Sequence, residues 1–219
     1  AFMRGYGVFE TLRTHGDKEL FRVKDHLDRL FDSAKKIDLK IKHSKKEVLK
    51  MLQKVIKKSP HKVQRIKIIA IKEGIIISSI QTKIDPKVYK GVSVKSIDRM
   101  REIPEVKSLS YISSFLSHEE AVKKGYFEAI LVNEKGEVYE GAYSNLFWFE
   151  ADTLCTREKD VLPGITRKVV LEISPYKIKY KNIKLKDLLK KKEIFITQSV
   201  KGVVPVIKID NKKIADAKV

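Results

Sequence analysis

The segment VLPGITRKVVLEI, residues 161–173, sets a Pro-Gly pair ahead of a run whose apolar residues recur with helical period. Pro163 and Gly164 mark a turn. Ile165, Thr166 and Arg167 follow, and only then does the apolar-periodic helix start, so Thr166 lies close to its first turn, where backbone N–H groups lack intrahelical acceptors and the helix dipole is positive. Such a terminus with a hydroxyl beside it is the local equipment of an anion site, commonly a phosphate site, and an ordinary well-capped helix reads the same way. Three charged residues stand where charge has chemical use. Arg29 lies three residues after His26, so the two share a helix face, although an arginine there also reads as a solvated charge. Lys107 follows Pro104 and precedes an apolar run, as one lysine among many. Glu140 closes EVYE against Gly141, where a carboxylate faces either solvent or a site. No metal centre is expected, because the five histidines, His15, His26, His43, His61 and His118, have no carboxylate or cysteine at ligand spacing. There is no Gly-x-Ser-x-Gly elbow, no Walker loop and no dinucleotide fingerprint, which weakens the hydrolase and nucleotide-fold readings.

These groups need elements to position them. YGVFETLR, residues 6–13, reads as a strand, with KELFRV, residues 18–23, as its hairpin partner across THGD. In DHLDRLFDSAKKI, Leu27, Leu30, Phe31, Ala34 and Ile37 are spaced at three and four, which predicts an amphipathic helix opened by Asp25. SKKEVLKMLQKVIKK repeats the pattern with Val48, Leu49, Leu52, Val55 and Ile56. The two β-branched runs of VQRIKIIAIKEGIIISSIQ form a hairpin about Lys72-Glu73-Gly74. A proline, a charge cluster and the lack of any period mark IDRMREIPEVK, residues 97–107, as a linker. Beyond it follow a helix over YISSFLSHEEAVKKG ending at Gly125, a hairpin over FEAILVNEKGEVYEG, and a strand over SNLFWFE. The opening segment supplies a loop and helix, LKDLLKK a short helix, and EIFITQSVKGVVPVIKID two strands around Gly202. The expected class is α+β in two domains: residues 1–98, a sheet with two helices, and residues 99–219, rich in strands.

Composition narrows the partners. A chain of 219 residues that is 42% hydrophobic can bury a proper core, as one large or two modest domains. It contains no apolar run of membrane-spanning length, and its opening residues lack a charged-then-apolar leader pattern, so neither a span nor a signal peptide is expected. The single cysteine, Cys155, fits a reducing cytoplasm. Lys and Arg number 47 against 28 Asp and Glu, a formal charge of +19. These cations are scattered over what read as solvent faces, without a nucleic-acid module, so the expected partner is a small anion drawn in by the field and not a nucleic acid.

Read together, RGYGVFETLR, HLDRLFDSAKKI, the stretch from KSLSYISSFL to SNLFWF, LPGITR and FITQSVKGVVPV resemble the successive motifs of the fold type IV pyridoxal-phosphate enzymes. That family contains branched-chain and D-amino-acid aminotransferases and aminodeoxychorismate lyases. The resemblance spans nearly the whole sequence in order. It implies a second domain folded as a strand-rich pseudo-barrel, a cofactor cleft between the domains, and a homodimer. It also implies that Lys107 forms the Schiff base with pyridoxal 5'-phosphate, that Glu140 stands beside the pyridine nitrogen, and that Arg29 is a phosphate ligand. Ile165 and Thr166 match the loop whose amides bind the phosphate, Ser199 matches a phosphate-contacting Thr or Ser, and Tyr111 falls near a tyrosine close to the cofactor's phenolic oxygen. The sequence opens almost on the YGVFET strand, ahead of which family members usually carry a further hairpin.

Two features tilt the expected reaction toward the lyase, which releases pyruvate and gives 4-aminobenzoate. TQSVKGVVPV is similar to the Ser-x-x-Gly form of lyase-like members, where transaminases more often carry Gly-Thr-Ala-Ala-Glu. RIKIIAIKEGIII lacks the Arg-x-His pair with which D-amino-acid transaminases hold a carboxylate, and Phe9 stands where those enzymes have a tyrosine. The alternative is a branched-chain or D-amino-acid aminotransferase using 2-oxoglutarate. A third reading, a basic binding module without cofactor, is opposed by the joint presence of Lys107, Glu140 and Arg29.

Overall fold

Period-two alternation builds the first sheet. In the computed structural model, which describes residues 4–214, β1 (Val8–His15) pairs antiparallel with the two-residue β2 (Glu19–Leu20) on one side. After helices α1 (Val23–Lys36) and α2 (Lys45–Lys58), β3 (Gln64–Ile71) pairs with β1 on its other side and β4 (Gly74–Gln81) completes the order β2-β1-β3-β4. The register sets Val8 opposite Ala70 and Leu12 opposite Ile66. Those side chains share a face and bury against Leu27 and Leu30 of α1 and Val48, Leu52 and Ile56 of α2. Ser44 and Glu47 form a capping box that starts α2. The start of α1 differs from the expectation at Asp25. The helix begins at Val23 behind Arg22, whose left-handed φ of 54° turns the chain, while Asp25 occupies the first turn and pairs with Arg22 at 3.5 Å. That early start also shortens the strand expected over residues 18–23.

The rest of the chain forms a second unit. A 3-10 turn (Pro86–Lys90) leads into β5 (Val92–Asp98), and helix α3 (Ile112–Lys123) precedes β6 (Glu128–Val132), β7 (Glu137–Gly141), β8 (Asn145–Glu150) and β9 (Thr153–Thr156). Helix α4 (Ile165–Ile173), β10 (Lys177–Tyr180), β11 (Ile183–Lys184), α5 (Leu185–Leu188), β12 (Ile194–Gln198), β13 (Gly202–Ile209) and β14 (Lys212–Lys213) follow. The sheet has ten strands in the order β10-β9-β8-β12-β13-β5-β6-β7-β11, with β14 on β13. Strands β7 and β8 lie in different halves of that order, yet only residues 142–144 join them, and Gly141 N donates to Ser144 O at 2.7 Å. The sheet therefore curls into a half-barrel, and its main core draws Val94, Ile130, Val138, Leu146, Trp148, Ile196 and Val206 from both halves. Among the described residues no helix is long and apolar enough to cross a membrane, and no cluster of His, Cys, Asp and Glu is arranged to hold a metal.

The division between units is not a single cut. One unit comprises the residues up to Lys83 together with Val106–Tyr111, and the other comprises Ile84–Glu105 and the chain from Ile112 onward. Strand β5, which ends at the sequence-expected boundary of 98, pairs parallel with β6 and β13 and so belongs to the second unit. The returning segment 106–111 bonds to the start of β1: Phe9 N donates to Lys107 O and Leu109 N to Gly7 O, each at 2.9 Å.

Candidate active site

In the first unit, that returning segment fixes Lys107. Its carbonyl accepts from Phe9, and its own N–H donates to Ser33 Oγ of α1 at 3.3 Å. The half-buried side chain carries its ammonium 4.5 Å from the centre of the Phe9 ring and 5.9 Å from that of Tyr111, whose rings meet edge to face at 5.1 Å. The structure thus brings Lys107 and Tyr111 together about one buried aromatic ring. Gly7 permits the close approach: a Cβ there would meet Leu109 Cδ1 at 2.7 Å and Ile71 Cγ2 at 2.8 Å.

Arg29 lies one turn before Ser33 on α1 and is 7% exposed, so it is not a solvated charge. Its Nε and Nη2 donate to the two carboxylate oxygens of Glu10 at 2.7 and 2.9 Å, and His26 Nδ1 lies 2.8 Å from Glu10 Oε2. An ionised carboxylate only accepts, so Nδ1 is the protonated ring nitrogen. Burial opposes the ionisation of Glu10, but the charge of Arg29 and hydrogen bonds from His26 and Arg29 outweigh it and hold the carboxyl at about 2 instead of 4.5. Glu10 thereby grips the Nε–Nη2 edge of the guanidinium and fixes its plane.

In the second unit, Glu140 is buried at the end of β7. Arg101 Nη1 donates to its Oε1 at 2.7 Å, while Asn145 Nδ2 and Leu162 N donate to Oε2 at 3.0 and 2.9 Å. Leu162 leads through Pro163 to Gly164, the N-cap of α4, with φ −65° and ψ 139° and no side-chain cap bond. Ile165, 5% exposed, and Thr166 are the first residues of that helix, which starts three residues earlier than the sequence predicts because Gly164 already serves as its N-cap. Ser199 is half-buried in the turn between β12 and β13, two residues beyond Thr197. Among the described residues, two buried polar atoms in this neighbourhood lack hydrogen-bond partners: Thr197 Oγ1, on a residue directly opposite Asn145, and Arg167 Nε in the first turn of α4. Orphaned donors beside a helix N-terminus suit a multiply charged oxyanion, so the residues present fit a phosphorylated cofactor.

The seven sequence-expected residues therefore fall into two sets. Arg29, Lys107 and Tyr111 lie in the first unit, and Glu140, Ile165, Thr166 and Ser199 in the second. Four partners were not anticipated, namely Glu10, Ser33, Arg101 and Asn145. Of these, Glu10 carried a readable signal. It shares the strand parity of buried Val8 and Leu12, and a carboxylate on that face requires a cationic partner, which His26 and Arg29 supply from the apposed helix.

Comparison with known proteins identifies the family. The family model for amino-transferase class IV matches residues 7–209. The chain is 30% identical over 239 residues to a putative branched-chain-amino-acid aminotransferase of Methanocaldococcus jannaschii, covering 98% of this chain and 82% of that protein. A D-alanine aminotransferase of Listeria monocytogenes is 28% identical over 244 residues, covering 98% and 83%. The branched-chain aminotransferase of the thermophilic archaeon Thermoproteus uzoniensis, solved with norvaline, superposes with a TM-score of 0.88 at 28% identity over 96% of this chain and 80% of that one. A family model covering most of the chain decides the matter: the chain belongs to the class IV aminotransferases, a family of pyridoxal-phosphate enzymes.

Proposed function

We propose that the protein is a branched-chain amino-acid aminotransferase that uses pyridoxal phosphate and passes the amino group to 2-oxoglutarate. The observation that carries the substrate choice is the sheet face beside Lys107. Phe9 stands opposite Ile69, and Ile69 opposite Ile76, so the three form an apolar row across β1, β3 and β4 next to the Lys107 ammonium. An aliphatic substrate side chain suits that row. Lys67 on the same face, with its ammonium 5.0 Å from the Phe9 ring, adds a cation that favours an anionic substrate. The names of the relatives support amino transfer better than the lyase reaction that the motifs favour.

The cofactor, when bound, supplies an electron sink for the charge left at the substrate Cα. Lys107 Nζ would hold it covalently and then move the proton from and to the substrate Cα, a task suited to a half-buried amine among aromatic rings. Glu140, held by Arg101, Asn145 and Leu162 N, would keep the ring nitrogen protonated. The first amides of α4, the Thr166 and Ser199 hydroxyls and Arg29 would hold the phosphate, with Glu10 orienting the guanidinium.

The second reading, aminodeoxychorismate lyase, rests on the Ser199–Gly202 segment, a tight turn in which Gly202 has a φ of 72°. One experiment separates the two. Purified protein is given L-leucine, D-alanine or aminodeoxychorismate, each with and without 2-oxoglutarate. Glutamate formed from L-leucine supports the proposal, and pyruvate with 4-aminobenzoate released without a keto-acid acceptor replaces it by the lyase. Borohydride should fix pyridoxal phosphate to the protein, and Lys107→Ala should abolish the adduct.

A further inference from the structure

One side chain in the second unit touches both the Glu140 carboxylate and the start of α4. Asn145 opens β8, where its backbone is fixed by pairing with Thr197 of β12. Its amide nitrogen donates one hydrogen to Glu140 Oε2 at 3.0 Å and the other to Leu162 O at 2.8 Å. Leu162 N returns a bond to the same Glu140 oxygen at 2.9 Å. The ring closes on Leu162, which is thereby gripped through both its N–H and its C=O immediately before rigid Pro163. The amide oxygen of Asn145 faces Gly164, where any Cβ would overlap it. Glycine at this position is thus required by packing, since its φ of −65° is open to any residue. Asn145 is 4% exposed, so neither its rotamer nor its bonds are shared with solvent.

We infer that Asn145 is a positioning residue that couples the two ends of the cofactor. Through Glu140 it sets the carboxylate meant for the ring nitrogen, and through Leu162 and Gly164 it sets the first amides of α4 meant for the phosphate. A ligand that engages one end holds this ring in place and lowers the ordering cost at the other. The inference rests on the pyridoxal-phosphate reading.

The test is a coupling measurement on apoprotein in phosphate-free buffer. Dissociation constants are measured for pyridoxal phosphate and for pyridoxal, which lacks the phosphate, in the unchanged protein, Glu140→Gln, Asn145→Ala and the double variant. In the unchanged background, Glu140→Gln should weaken pyridoxal phosphate by a factor about five-fold larger than it weakens pyridoxal, as befits groups in one hydrogen-bonded network. In the Asn145→Ala background the two factors should draw closer together, since only the direct bond from Leu162 N to Glu140 then links the two ends. Gly164→Ala, which displaces the Asn145 amide without deleting it, should shrink the difference as well and serves if Asn145→Ala does not fold. Equal factors in the unchanged background, or a difference undiminished by both substitutions, overturn the inference while leaving the cofactor reading standing. Failure of the unchanged protein to bind pyridoxal phosphate overturns both.

Discussion

Replacing Glu10 by Gln keeps the shape of the side chain and removes its charge. Glu10 is fully buried and Arg29 nearly so, with two bonds between them and a third to His26. Two routes give the cost. A carboxyl held at about 2 instead of 4.5 stabilises the folded state at neutral pH by roughly 3 kcal/mol, at about 1.4 kcal/mol for each pH unit. Breaking a buried pair by removing one partner costs about 3–5 kcal/mol, because the other charge stays behind unpaired. The expected loss is therefore about 3 kcal/mol, confined to the first unit. Its sign with pH is fixed. The folded value lies below the unfolded one, so the contribution is present in full above 4.5 and is lost as pH falls from there toward 2. Amide exchange of β1 and α1 reports this unit separately, whereas the single tryptophan, Trp148, follows the core of the second. Exchange in Glu10→Gln should accelerate at pH 7 by about two orders of magnitude in equilibrium terms, and the gap to the unchanged protein should narrow in acid. A gap below about 1 kcal/mol at pH 7, or one that stays constant down to about pH 2.5, would refute the reasoning.

Two further outcomes follow from close contacts. Gly7→Ala places a methyl against Leu109, Ile71 and the Ala70 carbonyl, all within 2.9 Å. It should cost about 1–3 kcal/mol and slow borohydride trapping at Lys107, because the displaced neighbour belongs to the segment that carries the lysine; unchanged trapping would refute this. Arg101→Met leaves Glu140, with only 4% of its side chain exposed, without the cation at 2.7 Å. Urea unfolding followed by Trp148 should show a loss of about 3 kcal/mol, and a loss under about 1 kcal/mol would mean that Asn145 and Leu162 N suffice to hold the carboxylate.

Much of the scaffold was legible because periodicity and burial coincide. The three-and-four spacing in α1 and α2 and the β-branched runs of β3 and β4 each report one buried face, and the structure places Leu30, Leu52 and Ile68 on it. Seven-residue β5 escaped despite its alternating burial, and its last two residues were read as linker, while other missed strands are short or have no half-exposed face. Strand β9 is four residues long with Leu154, Cys155 and Thr156 all buried, so it shows no alternation to read. Strand β10 has the opposite defect, with Lys177, Lys179 and Tyr180 exposed and only parallel pairing to β9 to define it. In the site, the family resemblance led to Lys107, Arg29 and Glu140, but Arg101 and Asn145 owe their place to tertiary approach. Arg101 meets Glu140 across 39 positions of chain, and Asn145 reaches Leu162 across 17. Local sequence carries no mark of either distance.

The loan of residues 106–111 to the first unit has a consequence for biosynthesis. Val106, 1% exposed, completes a core otherwise assembled from the chain up to Ile77, and Lys107 and Leu109 cover the outer edge of β1. A nascent polypeptide that has emerged only through Lys83 has its sheet and both helices but a gap where Val106 belongs and a bare strand edge beside it. Translation must therefore deliver part of the neighbouring unit, β5 included, before the earlier one can close. In the life of each molecule the lysine arrives as the closing stitch, so the unit becomes sound and gains the amine proposed to hold the cofactor in the same event.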